Sequence, residues 1–204
     1  MHRCRPMLGT FVEIESDCAA AIEAGFAAVE RIHRLMSAHD PASELSRLNQ
    51  GERVELSPDT RAVLERSLFW FAASGGIFDP AVAGRIAIDR GTLPLHRGHA
   101  RSNRDHDLSV LRVEGPVAWL ERPACIDLGG IAKGHAVDAA VAAMGKAGAL
   151  SGLVNAGGDL SGFGRPHCIQ VVDPSTQAPR LAISLDNRAL ATSAGLARAN
   201  GLSF

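Results

Sequence analysis

From Thr10 to Glu15 apolar and acidic positions alternate, with Val12 and Ile14 on one face and Glu13 and Glu15 on the other, which predicts a half-buried antiparallel strand. The period then changes. Ile22, Phe26, Val29, Ile32 and Met36 recur at helical spacing, so a long helix is expected from Asp17 to about Met36, with Asp17 as its N-cap and Leu35 and Met36 in the core. Asp40-Pro41 forces a turn, and Ser43 can cap a short helix ending near Asn49-Gln50-Gly51. Ser57-Pro58 opens a second amphipathic helix that turns Val63, Leu64, Leu68 and Phe71 inward and stops at Ser74-Gly75-Gly76. The next apolar segment, Ile77 to Val82, is cut by Pro80 and reads as an irregular loop or sheet edge.

Strand patterns return at Leu108 to Glu114 and Val117 to Glu121, joined as a hairpin by Gly115-Pro116. A short apolar run ending at Ile126 reads as a strand that leads through Asp127-Leu128-Gly129-Gly130-Ile131-Ala132-Lys133-Gly134 into a helix. That helix carries Val137, Val141 and Met144 and stops at Gly145 or Gly148. Gly152 to Ser161 holds a second paired-glycine turn, Asn155-Ala156-Gly157-Gly158-Asp159. Cys168 to Val172 and Leu181 to Leu185 are two more strands, joined through Asp173-Pro174-Ser175-Thr176, and Ala189 to Gly195 is a last strand entering a small-residue loop. No internal repeat, low-complexity tract or linker interrupts this order. The sum is an α+β fold: a single domain, a mostly antiparallel sheet packed with helices, and a ligand cleft beside the loops at 127–134 and 155–159.

Composition narrows the partners. A chain of 204 residues that is 46% apolar can close its own core. Its 21 basic and 22 acidic residues nearly cancel and form no basic stretch interleaved with aromatics, which argues against nucleic acid or an anionic membrane surface. Cys4, Cys18, Cys125 and Cys168 are dispersed, without metal-ligand spacing, and read as reduced thiols. No apolar run reaches the length of a membrane span, and the basic start lacks a signal-peptide core, so a cytoplasmic location is expected. His96, His99 and His106 share a polar stretch that reads as a solvated loop more readily than as a metal site.

Two loops carry candidate chemistry. Each sets paired glycines beside a carboxylate, a composition that lets backbone approach a phosphate or cation closely. The plainer alternatives are an ordinary strand-to-helix turn for the first and a hairpin turn for the second. Gly134 is followed by His135, so no phosphate loop ending in Gly-Lys-Ser/Thr is present, and neither a dinucleotide fingerprint nor a nucleophile elbow is legible.

Six segments in order, Leu8-Gly9-Thr10, Ser43-Glu44-Leu45-Ser46-Arg47-Leu48-Asn49, Phe78-Asp79-Pro80, Asp127 to Gly134, Asn155 to Asp159 and Ala191-Thr192-Ser193, resemble the FAD:protein FMN transferases, the ApbE family. The resemblance spans residues 8 to 193. It implies magnesium-dependent transfer of FMN from FAD to a Thr or Ser of a target flavoprotein, with release of AMP. By the same resemblance, Leu8 stands at a flavin-contacting Met, His39 at a Tyr that lies against the flavin, and Ile77, Phe78, Asp79, Asp127 and Lys133 at FAD contacts. Gly130 stands where a carbonyl binds Mg2+, Asn155 and Asp159 support the cofactor loop, and Thr192 belongs to the cofactor-binding set.

Two departures accompany it. Ala194 replaces the glycine of the family's Thr-Ser-Gly, and the family's downstream catalytic and metal-binding segment falls beyond Phe204. The expected domain is therefore residues 1–204, short of that segment, with no catalytic residue assigned. An unpaired sheet edge left by missing strands predicts self-association. Three functions compete: FMN transfer, FAD binding without transfer, and hydrolysis of FAD to FMN and AMP without an acceptor.

Overall fold

The fold comes from a computed structural model, which describes residues 1–92, 107–173, 176 and 178–192. Mixed helices and antiparallel strands make it α+β, as the sequence predicts. Two compact units are built from it: Met1–Val29 with Val137–Phe204, and Glu30–Ala136.

The first unit is organised on a five-stranded sheet. β1 (His2–Met7), β2 (Thr10–Ser16), β6 (Gly152–Ala156), β7 (Asp159–Phe163) and β10 (Arg188–Ala191) lie in the order β1-β2-β6-β7-β10, and every pair is antiparallel. The register sets Val12 opposite Ala156 and Ile14 opposite Val154, so the buried face expected from the alternation is a continuous apolar strip. Onto that face pack residues of α1 (Ala19–Met36) and α5 (Ala132–Lys146). A side chain added at Gly25 would meet Ile14 and Met144, and one at Gly152 would meet the Met144 methyl at 2.5 Å. β8 (His167–Val172) and β9 (Pro179–Leu185) form a separate hairpin. β1 carries Pro6 and is exposed along most of its length, which an edge strand tolerates.

The second unit holds the rest of α1, then α2 (Glu44–Asn49), β3 (Val54–Glu55), α3 (Pro58–Ala73), α4 (Pro80–Asp89), β4 (Leu111–Glu114) and β5 (Val117–Leu120), and the first turn of α5. β3-β5-β4 is a small antiparallel sheet. Ile32, Leu45, Leu48, Leu64, Leu108, Leu111, Ile126 and Leu128 are fully buried and make its core.

Four expectations are corrected. Asp17 does not cap α1, because its carboxylate takes the Ser16 hydroxyl and the Leu150 amide, and the helix begins two residues later at Ala19. Pro80 does not break structure but starts α4, with Asp79 as N-cap accepting from the amides of Ala81 and Val82. Leu108–Val110 is a 3-10 turn ahead of β4, capped by Asp107. The run ending at Ile126 is not a strand, since its polar backbone groups are met by a side chain instead. His96, His99, His106, Ser193, Ala194 and Gly195 lie outside the described residues.

Candidate functional site

In the first unit, three of the six motif segments meet. Leu8-Gly9 is the two-residue loop of the β1-β2 hairpin and Gly157-Gly158 that of the β6-β7 hairpin, and all four residues have positive φ. Two such residues in succession suit the right-handed twist of a hairpin. Glycine is required at Gly157 and Gly158 for a second reason. A Cβ at Gly157 would lie 2.6 Å from the Thr10 hydroxyl, and one at Gly158 would lie 2.3 Å from that of Thr192. Thr10 and Thr192 thus close on the turn. Thr192 donates both its amide, at 3.0 Å, and its hydroxyl, at 3.1 Å, to the Gly158 carbonyl.

Asn155 is occupied in holding that turn. Its Oδ1 accepts from the Gly158 amide at 3.0 Å, and its Nδ2 donates to Glu13 Oε2 at 3.0 Å. Asp159 stands opposite Ala156 and Ala191 on β7, and its carboxylate makes no hydrogen bond among the described residues. Leu8 is half-buried at φ 56°, a conformation that costs a leucine about 1 kcal/mol or more.

The other three segments meet in the second unit. Asp127 Oδ1 accepts from the Gly129 amide at 2.8 Å, closing a tight turn and leaving its second oxygen open. The amides of Ile131 and Ala132 both go to the Leu128 carbonyl. Three amides of this turn are therefore already used, fewer being free for an anion than a bare helix start would offer. The Phe78 ring lies against Gly130, 3.5 Å from where a Cβ would stand, while Ile77 is 91% exposed. Asp79 faces its own helix as a cap, so its role in this structure is to aim α4.

Ser43 and Ser46 have a use that the sequence reading did not assign. Both hydroxyls donate to the Ser37 carbonyl, at 2.6 and 3.1 Å, while Ser37 Oγ accepts from the amides of His39 and Asp40. The exposed turn bearing His39 is pinned by this pair. Glu44 accepts the Ser57 amide and hydroxyl, which ties the start of α2 to the cap of α3. At the far end of α2, Asn49 bonds both backbone groups of Ile126.

The helix start after the loop is anchored as well. His135 Nε2 lies 3.1 Å from Asp59 Oδ1, and Arg31 Nε donates to Asp59 Oδ2 at 2.9 Å. Burial alone would raise the Asp59 carboxyl, but the hydrogen bonds and charges of Arg31 and His135 win and hold it below its ordinary value of 3.8. Cys125, by contrast, is pushed up to about 11 by burial and by the charge of Asp127, so it is an inert thiol. Lys133 is half-buried and makes no ion pair among the described residues.

Gly130 presents a main-chain carbonyl, a hard oxygen donor of the kind Mg2+ takes. Among the described residues no group of three His, Cys, Asp or Glu side chains could hold a metal. No helix among the described residues is long and apolar enough to cross a membrane.

This arrangement of antiparallel sheet and helices is shared with solved ApbE structures. The structure superposes on the flavin transferase ApbE from Vibrio cholerae with a TM-score of 0.82 at 24% identity, covering 99% of this chain and 73% of that one. It matches the ApbE protein of Thermotoga maritima with a TM-score of 0.84 at 26% identity, covering 100% and 74%. The family model for ApbE matches residues 8–200, and the chain belongs to the ApbE family.

Among curated relatives, the FAD:protein FMN transferase of Rhodobacter capsulatus is 28% identical over 88% of this chain. That of Treponema pallidum is 30% identical over 71%. This chain spans 38% and 44% of those relatives' own lengths.

Proposed function

We propose that this chain binds FAD and serves the transfer of its FMN half to a Thr or Ser hydroxyl of a flavoprotein. The observation that carries the reading is the gathering of the six motif segments into two clusters, three in each unit, within a chain of the ApbE family. In the first cluster Leu8 offers an apolar contact to the flavin and Thr192 and Asn155 fix the turn beneath it. In the second, His39 and Phe78 offer ring faces, the open Asp127 oxygen offers an acceptor, and Lys133 and the Gly130 amide, uncommitted among the described residues, offer positive charge and a donor to the diphosphate.

The reaction balances simply. The acceptor oxygen forms a bond to the FMN-side phosphorus, the bond from that phosphorus to the bridging oxygen breaks, and AMP departs with the bridge. The hydroxyl proton passes to a base. Mg2+ belongs to the proposal as the ion that neutralises diphosphate charge; the Gly130 carbonyl would be its one described protein ligand, phosphate oxygens and water being the usual complement for this ion. Lys133 holds charge near the diphosphate, and the Phe78 ring lies beside the exposed Gly130.

Incubation with FAD, Mg2+ and a candidate flavoprotein tests the reading. A flavin-fluorescent acceptor band surviving denaturation, AMP released in equal amount, and loss of both with EDTA are the expected results. FAD quenching without AMP would leave a binding module, and FMN plus AMP without an acceptor would leave a pyrophosphatase.

A further inference from the structure

We infer that Asn49 is a positioning residue that does for Ile126 what a neighbouring strand would do and so sets the backbone on which Asp127 is mounted. Asn49 Oδ1 accepts the Ile126 amide at 2.8 Å, and Asn49 Nδ2 donates to the Ile126 carbonyl at 2.9 Å. Both residues are buried, Asn49 at 2% and Ile126 at 0% exposure, and 77 positions separate them in sequence. A primary amide is the side chain that mimics both halves of a peptide group, so one residue satisfies the donor and the acceptor that a neighbouring strand would have met.

A second element, α4, holds the same segment. The next amide, of Asp127, goes to the Pro80 carbonyl at 3.0 Å, and the Cys125 carbonyl lies 2.1 Å from where a Cβ on Gly84 would stand. Asn49 on one side and α4 on the other therefore grip residues 125–127, and Asp127 turns to its Gly129 partner from a fixed base. Any contribution of Asn49 to FAD affinity rests on the function proposed above; the grip on the backbone does not.

Asn49→Asp is the discriminating variant. An ionised carboxylate can still accept the Ile126 amide but repels the Ile126 carbonyl, whereas a protonated carboxyl is close to isosteric with the amide and restores both bonds. Its folded-state pKa is therefore raised, and the grip returns as pH falls through that value. The wild-type protein serves as control for every other titrating group, and Cys125 stays neutral throughout.

Two readouts keep the outcomes apart. Without ligand, amide exchange at Ile126 and Asp127 is expected to speed at least tenfold at pH 8 in Asn49→Asp and to recover towards pH 5, while Asn49→Ala stays fast at both. In FAD titrations, Asn49→Asp is expected to bind at least tenfold more weakly at pH 8 and to regain affinity at pH 5. Unchanged exchange in both variants overturns the inference. So does wild-type FAD affinity in Asn49→Asp at pH 8. If the wild-type protein binds no FAD while exchange responds as expected, the FAD reading fails and the grip on the backbone stands.

Discussion

The turn at Gly157-Gly158 closes a hairpin whose strands are paired on both sides, β6 with β2 and β7 with β10. The turn at Gly129-Gly130 follows backbone at Ile126 and Asp127 whose hydrogen bonds go to the Asn49 side chain and the Pro80 carbonyl. The first is fixed by its neighbours in the sheet and needs from side chains only the closure by Thr10, Asn155 and Thr192. The second draws support from elsewhere: Asn49 at its entry, Pro80 and Gly84 on α4, and Asp59 beyond its exit. Two sequences of the same kind, paired glycines beside a carboxylate, thus owe their shapes to different physics. The first is held by main-chain ladders on both sides, while the second hangs on individual side chains.

This contrast breaks most sharply at Gly84. Its Cβ would stand 2.1 Å from the Cys125 carbonyl and 3.2 Å from the Ile126 nitrogen, both backbone atoms that cannot rotate away. Gly84→Ala is expected to destabilise by about 3 kcal/mol, the upper end for overpacking, and to unseat the 127–134 loop, as read by thermal unfolding and exchange at Ile126. Gly130→Ala, whose Cβ would meet only Phe78 at 3.5 Å, should leave the melting temperature nearly unchanged.

Gly158→Ala probes the other turn. A residue with φ 98° strains any L side chain by about 1–2 kcal/mol, and the Thr192 hydroxyl at 2.3 Å adds a clash. Here the obstacle is a side chain, so Thr192→Ala should recover part of the loss, at the cost of one hydrogen bond to Gly158. A double-mutant cycle in denaturant measures that coupling. No such rescue is available at Gly84.

The same contrast explains what could be read from the sequence. Val12 and Ile14, the Ser43 and Ser57 caps, the Gly157-Gly158 hairpin and the stop near Gly148 were legible because each depends on residues within a few positions. The Asp79-Pro80 pair follows the same local grammar as Ser57-Pro58, but a proline inside the apolar run Ile77 to Val82 disguises the start of α4 as a broken strand. Asn49 was legible as a motif residue but not as a strand substitute. Nothing near Asn49 or near Ile126 reports a bond across 77 positions. Asp59 with His135 is hidden for the same reason, at 76 positions.

Leu8 sharpens the first turn further. It holds φ 56° beside Gly9, where Asn-Gly is the preferred pair for such a hairpin. Leu8→Asn should raise stability by up to about 1 kcal/mol in urea titrations. If the leucine is kept for flavin contact, the same variant binds FAD more weakly, and stability and affinity move in opposite directions.

The smallest expected effect lies at Asp59, where the supports of the second turn acquire a pH dependence. Because the folded-state carboxyl is held below 3.8, its contribution is complete above that value and is lost as pH falls through the depressed one. Asp59→Asn removes the charge but keeps an acceptor for Arg31 or His135, so at pH 7 the cost should stay below about 1 kcal/mol, as for partly exposed ion pairs. Below the depressed folded-state value the two proteins should converge, since protonation brings the wild type to the same uncharged state. A constant gap between their acid unfolding curves would mean that Asp59 contributes through packing alone. The start of α5 would then owe its place to Leu128 and Ala132 rather than to the ion pair.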